Sequence, residues 1–491
     1  MTHAPDLPNV QLVWLRSDLR IHDNTALHHA AAKGPTVAVY LISAQQWQAH
    51  DDAACKIDFW LRNLRALSTA LAELNIPLLI RTAPLWDEAP RVLLELCQQL
   101  SVHTLHCNDE YGVNETRRDH AVRQVLEEAG IGFSHYLDQL LLQPGSVLTK
   151  SDKYFQVFSQ FRKVCYARLQ ASLPSVLARP DAQSVLLIAS DPVPAQVEGF
   201  ATPSQPVQQL WVAGEDEAKR RLDTFVDEQI DYYLDERDLP AKPGTSQLGA
   251  YLVAGVISPR QCLQAALNAN MGEFESGSPG IITWINELLW REFYKHILVG
   301  YPRVSRHHAF RPDTEALPWR NAPADLAAWK EGRTGIPIID AAMRQLVTTG
   351  WMHNRLRMLT AMFLTKNLLI DWREGERFFM QQLIDGDLAA NNGGWQWSAS
   401  TGTDSVPYFR IFNPVSQSSR FDTQGVFIKQ WLPALERLGN KDIHHPGGAT
   451  RGLLGELDYP APIVDLSASR QRALSAFKNL PRGQAAAAQY G

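Results

Sequence analysis

Two patterns of hydrophobic residues divide the chain. In the first 140 or so residues, short and nearly continuous apolar runs alternate with amphipathic segments. Such runs are typical of the buried strands of a parallel sheet, and the segments between them indicate helices that cover its faces. The pattern predicts an N-terminal doubly wound α/β domain. The predicted strands are Gln11–Leu15, Thr36–Ile42, Ile76–Arg81, Val102–Cys107 and Gly132–Leu137, and the predicted helices Ala26–Ala32, Lys56–Leu74, Pro90–Leu100 and Glu115–Ala129.

From Trp211 onward, apolar positions recur at helical spacing almost to the end of the chain, which predicts an all-α domain. A Pro-rich stretch with one helical segment, Tyr154–Arg168, separates the two patterns. We expect this stretch to wrap around one domain to reach the other. The predicted division is an α/β domain at 1–142, a linker at 143–209, a helical domain at 210–475 and a short tail at 476–491.

Composition narrows the class of protein. The five cysteines are scattered, without metal-ligand spacing, and no apolar run is long enough for a membrane span or a signal peptide. We therefore expect a cytoplasmic protein in a reducing compartment, without a structural metal. The net charge of −5 argues against a general nucleic-acid coat protein. A local basic segment remains possible from Arg291 to Arg311, with a solvated surface as the alternative.

The stretch from Gly350 to Asp422 concentrates polar and aromatic groups. It contains Asp385-Gly386-Asp387, then Asn391 and Asn392, then Trp395-Gln396-Trp397. Buried polar groups need partners, and a large planar heterocycle could supply them. Ordinary turns and core tryptophans are the alternative interpretation. A calcium loop is excluded because the twelfth residue from Asp385 is Gln396 and not Glu.

This stretch closely resembles the core of the DNA photolyases of the photolyase–cryptochrome family. The resemblance rests on GWMHNRLRM, DWREGE, DGDLAANNGGWQWSASTGTD and FRIFNP, and extends more weakly from Gln11 to Asp465. It implies a light-driven DNA repair enzyme, a monomer acting on UV-damaged DNA at the nucleoid. The N-terminal domain lacks the G-x-G-x-x-G dinucleotide fingerprint, so the main cofactor is not expected there.

The resemblance implies a reduced, non-covalent FAD in the helical domain. Thr245 and Ser246 match the turn that holds the flavin diphosphate, although spacing alone equally suits a plain helix N-cap. Two departures from the family turn are Gln247 and Gly249, which lose a charge and a hydroxyl. The matching FAD positions are Tyr233, Thr245, Ser246, Gln247, Leu248, Gly249, Trp284, Arg291, Arg357, Asp385, Gly386, Asp387 and Asn391.

An antenna chromophore is also implied, with 5,10-methenyltetrahydrofolate as the expected group. His50, Asn114 and Glu115 match the folate positions of the α/β domain. Ser305 and Arg306 stand where folate-binding members often have Cys and Lys, which leaves the identity of the antenna open. An ordinary helix start is the alternative interpretation of Asn114 and Glu115.

In the family, excited FAD passes an electron to a pyrimidine dimer that has been flipped out of the duplex. By resemblance, Asn391 lies beside flavin N5, and Trp395, Trp372 and Trp319 form the chain that re-reduces the flavin. Glu287 is the carboxylate that faces the lesion. The positions that match DNA or lesion contacts are Arg237, Glu287, Trp290, Asn354, Arg355, Trp397 and Gln417.

The lesion expected is the cyclobutane dimer, because (6-4) photolyases typically have paired histidines where this chain has His353 and Asn354. A cryptochrome-type blue-light receptor is the first alternative. The lesion-pocket residues and the absence of a long extra tail favour the enzyme. A generic flavoprotein electron carrier is a further alternative, but it would not require Arg355, Gln417 or the basic segment.

Overall fold

The computed structural model describes residues 9–446 and 458–481. The Ala-rich end of the predicted tail, 482–491, lies outside the described residues. In chain order the α-helices are α1 Thr25–Ala31, α2 Ala44–Ala49, α3 Ala54–Glu73, α4 Ala89–Gln99, α5 Val113–Glu128, α6 Phe158–Ala171, α7 Gln205–Leu210, α8 Glu215–Glu228, α9 Tyr233–Glu236, α10 Gly249–Val253, α11 Pro259–Ala269, α12 Pro279–Gly300, α13 Pro323–Lys330, α14 Pro337–Thr349, α15 Asn354–Met362, α16 Trp372–Gln382, α17 Leu388–Ala399, α18 Pro414–Phe421, α19 Val426–Trp431 and α20 Leu466–Lys478.

The N-terminal region contains the parallel sheet that the apolar runs predicted. Its strands pair in the order β3-β2-β1-β4-β5, with every pairing parallel. Side chains of β1 and β2 are buried along their whole length, as expected for central strands covered on both faces. The strands are β1 Val10–Leu15, β2 Thr36–Ile42, β3 Leu78–Thr82, β4 Val102–Asn108 and β5 Gly132–Tyr136.

The Pro-rich stretch after α6 packs along the edge strand β3. The Asp191 N–H donates to Leu78 O over 2.8 Å, and its carboxylate accepts from the Ile80 N–H over 2.9 Å. Gln183 bonds to Thr36 and to Asn75. The Asp191 bonds satisfy free backbone groups of the edge strand, which would otherwise be open to pairing with another chain.

Contacts within the chain define two units. The first comprises Met1–Asp231, Ser246–Pro302 and Ile384–Gly386, and contains the sheet. The second, the helical unit, comprises Tyr232–Thr245, Arg303–Leu383 and Asp387–Gly491. This division differs from the boundaries predicted at 142, 209 and 475, which describe the chain by sequence pattern and stay predictions.

Each unit has its own hydrophobic core. In the first unit, the strands pack with α4 and α5 around residues such as Leu12, Val39 and Leu93. In the helical unit, α14 to α17 and α19 enclose Trp329, Trp372 and further apolar side chains. Over 9–446 and 458–481, no helix combines the length and the apolar character that crossing a membrane requires.

Candidate functional site

Helix α17 carries two expected site residues, Asn391 and Trp397, with Gly394 midway between them. Asn391, Gly394 and Trp397 follow one another at three-residue intervals, so they lie along one side of the helix. Glycine inside a helix costs roughly 1 kcal/mol relative to alanine. Packing does not account for Gly394, because a Cβ placed there would have no described heavy atom within 4 Å. The open space beside Gly394 suits a flat group that approaches the helix backbone.

Glu376 in α16 fixes the amides of α17. The Asn391 side chain donates to the Glu376 carbonyl over 2.9 Å, and that of Asn392 donates to its carboxylate over 2.8 Å. The Gln396 amide in turn donates to Asn392 Oδ1 over 2.8 Å. The orientation of Asn391 is therefore set by its partners. Glu376 lies in the DWREGE motif, but the sequence alone did not indicate this role.

The three expected electron-transfer tryptophans all lie in the helical unit. Trp395 is buried and packs edge-on against Phe379, with ring centroids 4.9 Å apart. Its indole N–H has no hydrogen-bond partner among the described residues. Trp372 is also buried, whereas Trp319 is only partly buried against the same core. Trp319 is therefore the most exposed of the three.

Trp329 was not among the expected site residues, although it touches Trp395. It contacts the Trp395 ring edge-on, with centroids 5.9 Å apart, and lies parallel to Phe379 at 6.0 Å. Its indole N–H donates to Thr360 O over 3.2 Å. A buried Trp at helical spacing reads as core in a sequence, so no signal distinguished it.

The start of α15 carries the expected DNA-contacting groups. His353 is its N-cap, and its ring Nδ1 accepts from the Arg355 N–H. Burial lowers the pKa of His353 to about 4, so the ring stays neutral and can accept this bond. Asn354, the first helical residue, is exposed. The Arg355 guanidinium pairs with Asp238 and lies 4.5 Å from the Phe421 ring centroid.

Other expected residues of the helical unit make contacts with backbone or aromatic groups. Arg237 stacks over Tyr233, with its guanidinium carbon 5.3 Å from the ring centroid. Arg357 Nε donates to Met352 O over 2.8 Å. Gln417 is half-buried in α18, one turn before Phe421. Asp387 is the N-cap of α17, and its carboxylate accepts from the Ala390 N–H over 3.0 Å.

The expected phosphate turn runs from Thr245, the last residue of a segment of the second unit, to Gly249, the first residue of α10; Ser246 to Gly249 belong to the first unit. Leu248 occupies the N-cap position and makes no side-chain capping bond, so the alternative of a plain cap by Thr245 or Ser246 is wrong. Gln247 adopts a left-handed conformation with φ 50°. A Cβ on Gly249 would lie 2.8 Å from Asp385 Oδ2, so the absence of a side chain there admits the carboxylate.

The segment 384–386 is anchored to α3. Lys56 Nζ donates to Gly386 O over 2.7 Å and pairs with Asp52 over 2.6 Å. These bonds hold the backbone that carries Asp385. The first two residues of the Asp-Gly-Asp motif therefore belong to the first unit, and its last residue caps a helix of the second.

Helix α12 carries four expected residues. Trp284 is buried and contacts Phe225, with centroids 5.2 Å apart. The Arg291 guanidinium donates to Gln139 O. Trp290 is half-buried and stacks on the Phe158 ring, with centroids 3.8 Å apart. Glu287 lies one turn before Trp290 and Arg291 and is half-buried.

The basic segment predicted between Arg291 and Arg311 is not a continuous patch of free cations. Lys295 is only 9% exposed. In the helical unit, Arg303 lies 3.9 Å from Glu315 and Arg311 pairs with Asp313 over 2.8 Å. Glu292, the one acid of the segment, is buried, and burial raises its pKa to about 7. The sequence shows charges along the chain but not the partners that distant residues supply.

The expected antenna residues of the first unit come together. Asn114 Nδ2 and His50 Nε2 are 3.0 Å apart, and the His50 ring contacts Trp86 edge-on at 4.8 Å. The Arg118 guanidinium stacks 4.5 Å from the Trp86 centroid. Asn114 does not cap α5, whose N-cap is Gly112, so the N-cap interpretation of Asn114 is wrong, although Asn114 and Glu115 do lie in the first turn of the helix.

Glu115, which follows Asn114 in α5, has a carboxyl group with a raised pKa. Burial raises its pKa to about 7, and the nearby Glu110 carboxylate adds to the shift. A side chain that is half protonated near neutral pH can either donate or accept a hydrogen bond. Ser305 and Arg306 lie in the helical unit. Among residues 9–446 and 458–481, no group of three or more His, Cys, Asp or Glu side chains could hold a metal ion.

Two models of protein families match this chain. Residues 11–180 match the family model described as DNA photolyase, and residues 284–479 match the FAD binding domain of DNA photolyase. The deoxyribodipyrimidine photo-lyase of Escherichia coli K12 is 43% identical over 481 residues, which cover 96% of this chain and 99% of that protein. The chain belongs to the DNA photolyase family.

Solved structures of the family share the fold over nearly the whole chain. A class III photolyase from Agrobacterium tumefaciens superposes with a TM-score of 0.83 at 34% identity, covering 96% of this chain and 97% of that one. A cryptochrome from Synechocystis sp. PCC6803 gives a TM-score of 0.83 at 27% identity, covering 97% and 100%. A parallel-sheet N-terminal region followed by a helical FAD-binding domain is thus the architecture of this photolyase-family member.

Proposed function

We propose that this protein is a deoxyribodipyrimidine photo-lyase, which uses blue light to split cyclobutane pyrimidine dimers in UV-damaged DNA. The observation that carries the proposal is the stripe of Asn391, Gly394 and Trp397 on α17. It joins a fixed amide, an open space and an aromatic ring on one side of a helix in a photolyase-family protein. The protein acts as a monomer in the cytoplasm, at the nucleoid when it is bound to DNA.

A reduced, non-covalent FAD is the cofactor that supplies the electron for this chemistry when it is bound and excited. The turn of Thr245, Ser246, Gln247, Leu248 and Gly249 holds the diphosphate through backbone N–H groups and hydroxyls. The remaining positions that hold FAD are Tyr233, Trp284, Arg291, Arg357, Asp385, Gly386, Asp387 and Asn391. The unpartnered indole N–H of Trp395 and the open space beside Gly394 support a planar polar group here.

The side chains around FAD have distinct roles. Asp385 would accept hydrogen bonds from the flavin edge, and the Arg357 guanidinium would supply positive charge that favours an anionic ring. Asn391, whose amide is held in one orientation by Glu376, would present that amide to the flavin ring. Trp395, Trp372 and Trp319 return electrons from the surface of the helical unit.

The lesion and its DNA are bound by aromatic, acidic and cationic groups. Trp290 and Trp397 stack on the bases of a flipped dimer, and Glu287 hydrogen-bonds to their polar edges. Arg237, Asn354, Arg355 and Gln417 contact phosphates or the lesion rim. The pairing of Arg355 with Asp238 fixes its direction before DNA arrives.

The antenna is 5,10-methenyltetrahydrofolate, held in the first unit by His50, Asn114 and Glu115. The raised pKa of Glu115 supports this assignment, since a protonated carboxyl can donate to a ring nitrogen of a pterin. Trp86 and Arg118 add flat surfaces on which a pterin can stack. Ser305 and Arg306 replace the Cys and Lys that folate-binding members often have, and Arg306 keeps the positive charge of the Lys.

A cyclobutane dimer suits the site better than a (6-4) photoproduct. The only histidine in the segment 351–355 is His353, and it is buried and engaged in capping α15. Burial lowers its pKa to about 4, so the ring is neutral near pH 7 and does not carry the extra proton that a general acid gives to a lesion. The similarity to a Synechocystis cryptochrome makes a blue-light receptor the second candidate, and repair activity discriminates between the two.

The test is light-dependent repair of one defined lesion. The reduced protein is incubated with an oligonucleotide carrying a single thymine cyclobutane dimer, half in blue light and half in the dark. We expect thymine absorbance to be restored only in the light. No repair by a flavin-loaded, reduced sample would favour the receptor or a (6-4) lesion.

Variants locate the chemistry in the proposed pocket. Glu287→Ala and Trp290→Ala should lower repair at least tenfold, since each removes a contact with the dimer. Glu127→Ala is the matched control, because Glu127 is an exposed carboxylate of α5 with no part in the proposed site. Equal losses in all three variants would point to general destabilisation instead.

A further inference from the structure

Phe158 makes an unusually close ring contact with Trp290. The rings of Phe158 and Trp290 have centroids 3.8 Å apart and an interplanar angle of 11°. Aromatic pairs in proteins more often meet edge-on or offset, with centroids 4.5–7 Å apart. The near-parallel geometry covers one face of the indole. The Trp290 ring also meets Phe293 edge-on at 5.7 Å and a tilted Tyr294 ring at 5.6 Å. Among the described residues no second ring stacks parallel to it, so a further planar group can stack on the face opposite Phe158.

Phe158 is itself firmly held. It is buried as the first residue of α6, and it meets Phe293 of α12 edge-on at 5.9 Å. One turn later on α6, Phe161 packs against Phe293 at 5.3 Å and His296 at 5.0 Å. The Phe158 ring therefore cannot follow Trp290 if the indole rotates, and acts as a rigid backing for it.

We propose that Phe158 is a positioning residue for lesion recognition, which holds the free face of Trp290 toward an extrahelical pyrimidine. This inference rests on the proposed function. Trp290 is half-buried and Glu287 lies one turn before it on α12, so the backing ring fixes the indole relative to the carboxylate. Phe158 touches neither the reacting bond nor the DNA. It acts through Trp290.

The energetic consequence falls on binding and not on the photochemical step. An unbacked indole samples more orientations before DNA binds, and ordering it on binding costs free energy. Loss of one aromatic stack and of this preorganisation weakens binding by about two- to tenfold. DNA without a lesion does not enter the pocket, so its affinity does not depend on Phe158.

The binding experiment compares three variants of the FAD-loaded protein, and it is done in the dark so that no lesion is repaired during the titration. Phe158→Leu removes the ring but keeps an apolar side chain, and Phe158→Tyr restores the ring. Phe161→Leu is the matched control, because it makes the same change one turn along α6, at a residue that packs on Phe293 and His296. Dissociation constants are measured for matched oligonucleotides with and without one cyclobutane dimer.

We expect Phe158→Leu to weaken binding of the damaged oligonucleotide two- to tenfold and to leave binding of the undamaged one unchanged. Phe158→Tyr and Phe161→Leu should bind as the wild type does. Repair per absorbed photon at saturating protein should be the same for all variants. Equal effects of Phe158→Leu and Phe161→Leu, or an equal loss on both oligonucleotides, would overturn the proposal by showing a structural role only.

A double-mutant cycle keeps the test decisive if Phe158→Leu folds poorly. In a Trp290→Ala background the positioning role disappears, so Phe158→Met should weaken damaged-DNA binding in the wild type and not in that background. Independent, additive losses would contradict the proposal. A wild-type protein with no preference for damaged DNA would instead overturn the proposed function itself, which separates the two failures.

Discussion

Gly394 makes stability and function separable at a single residue. It lies inside α17, where glycine is unfavourable, and open space surrounds the position of its missing Cβ. We expect Gly394→Ala to raise the free energy of unfolding by about 0.5–1 kcal/mol. The added methyl group should at the same time lower lesion binding and light-driven repair, because it fills the space on the stripe of Asn391 and Trp397. Chemical denaturation and the repair assay measure the two effects.

Ala390→Gly on the same helix is the matched control. Ala390 is exposed and lies one turn before Gly394. This change should destabilise α17 by about 0.5–1 kcal/mol and leave repair unchanged. If repair instead followed stability in both variants, the space beside Gly394 would have no specific role.

At the residue scale, sequence patterns identified groups but not their partners. Asn391 and Arg355 stand out in motifs, yet Glu376 and Asp238, which fix them, are 15 and 117 residues away along the chain. Phe158 lies in a stretch that was predicted to be a linker helix. Pairings over such distances depend on how elements pack, which local spacing does not encode.

Element positions were predictable where apolar runs were long. The five strands were placed to within about two residues because burial on both faces leaves an uninterrupted apolar signal. Helix starts were less secure, since a cap depends on backbone conformation and on competing side-chain partners. Asn114 bonds to His50 and leaves the N-cap of α5 to Gly112. The six-residue α2 was missed because it is shorter than two helical turns.

The N-terminus of α15 should make the protein sensitive to acid. Burial lowers the pKa of His353 to about 4, below the value of about 6.5 for an unfolded chain. A group whose pKa is lower in the folded state stabilises the fold fully above pH 6.5 and loses that contribution as pH falls towards 4. The loss has a limiting slope of about 1.4 kcal/mol per pH unit.

His353→Asn tests this titration, since asparagine can cap a helix but does not take up a proton. We expect the wild type to lose stability relative to His353→Asn as the pH falls from 6.5 to 4. Urea unfolding at several pH values, followed by far-UV circular dichroism, gives the difference. A constant difference over this range would show that His353 does not titrate on unfolding.

The charge of the whole molecule constrains how it selects damaged DNA. With a net charge of −5, the protein repels a phosphate backbone at long range, and several of its cations are paired with acids. Affinity for any duplex must therefore come from a few local contacts, and selectivity from a pocket that only an extrahelical lesion enters. Composition alone argued against a general DNA coat protein. The placement of the cations had to come from the fold.

The salt concentration separates the affinity for any duplex from the selectivity for a lesion. Phosphate contacts release counterions, so raising salt from 50 to 200 mM weakens DNA binding, whereas stacking and hydrogen bonds in a pocket release none. We expect damaged and undamaged oligonucleotides to lose affinity in parallel, with a selectivity ratio constant to within about twofold. Titrations of both oligonucleotides over this range measure the ratio. Because the proposed lesion contacts Trp290, Glu287 and Trp397 carry no positive charge, a ratio that fell with salt would locate the discrimination in cations such as Arg355 and not in those contacts.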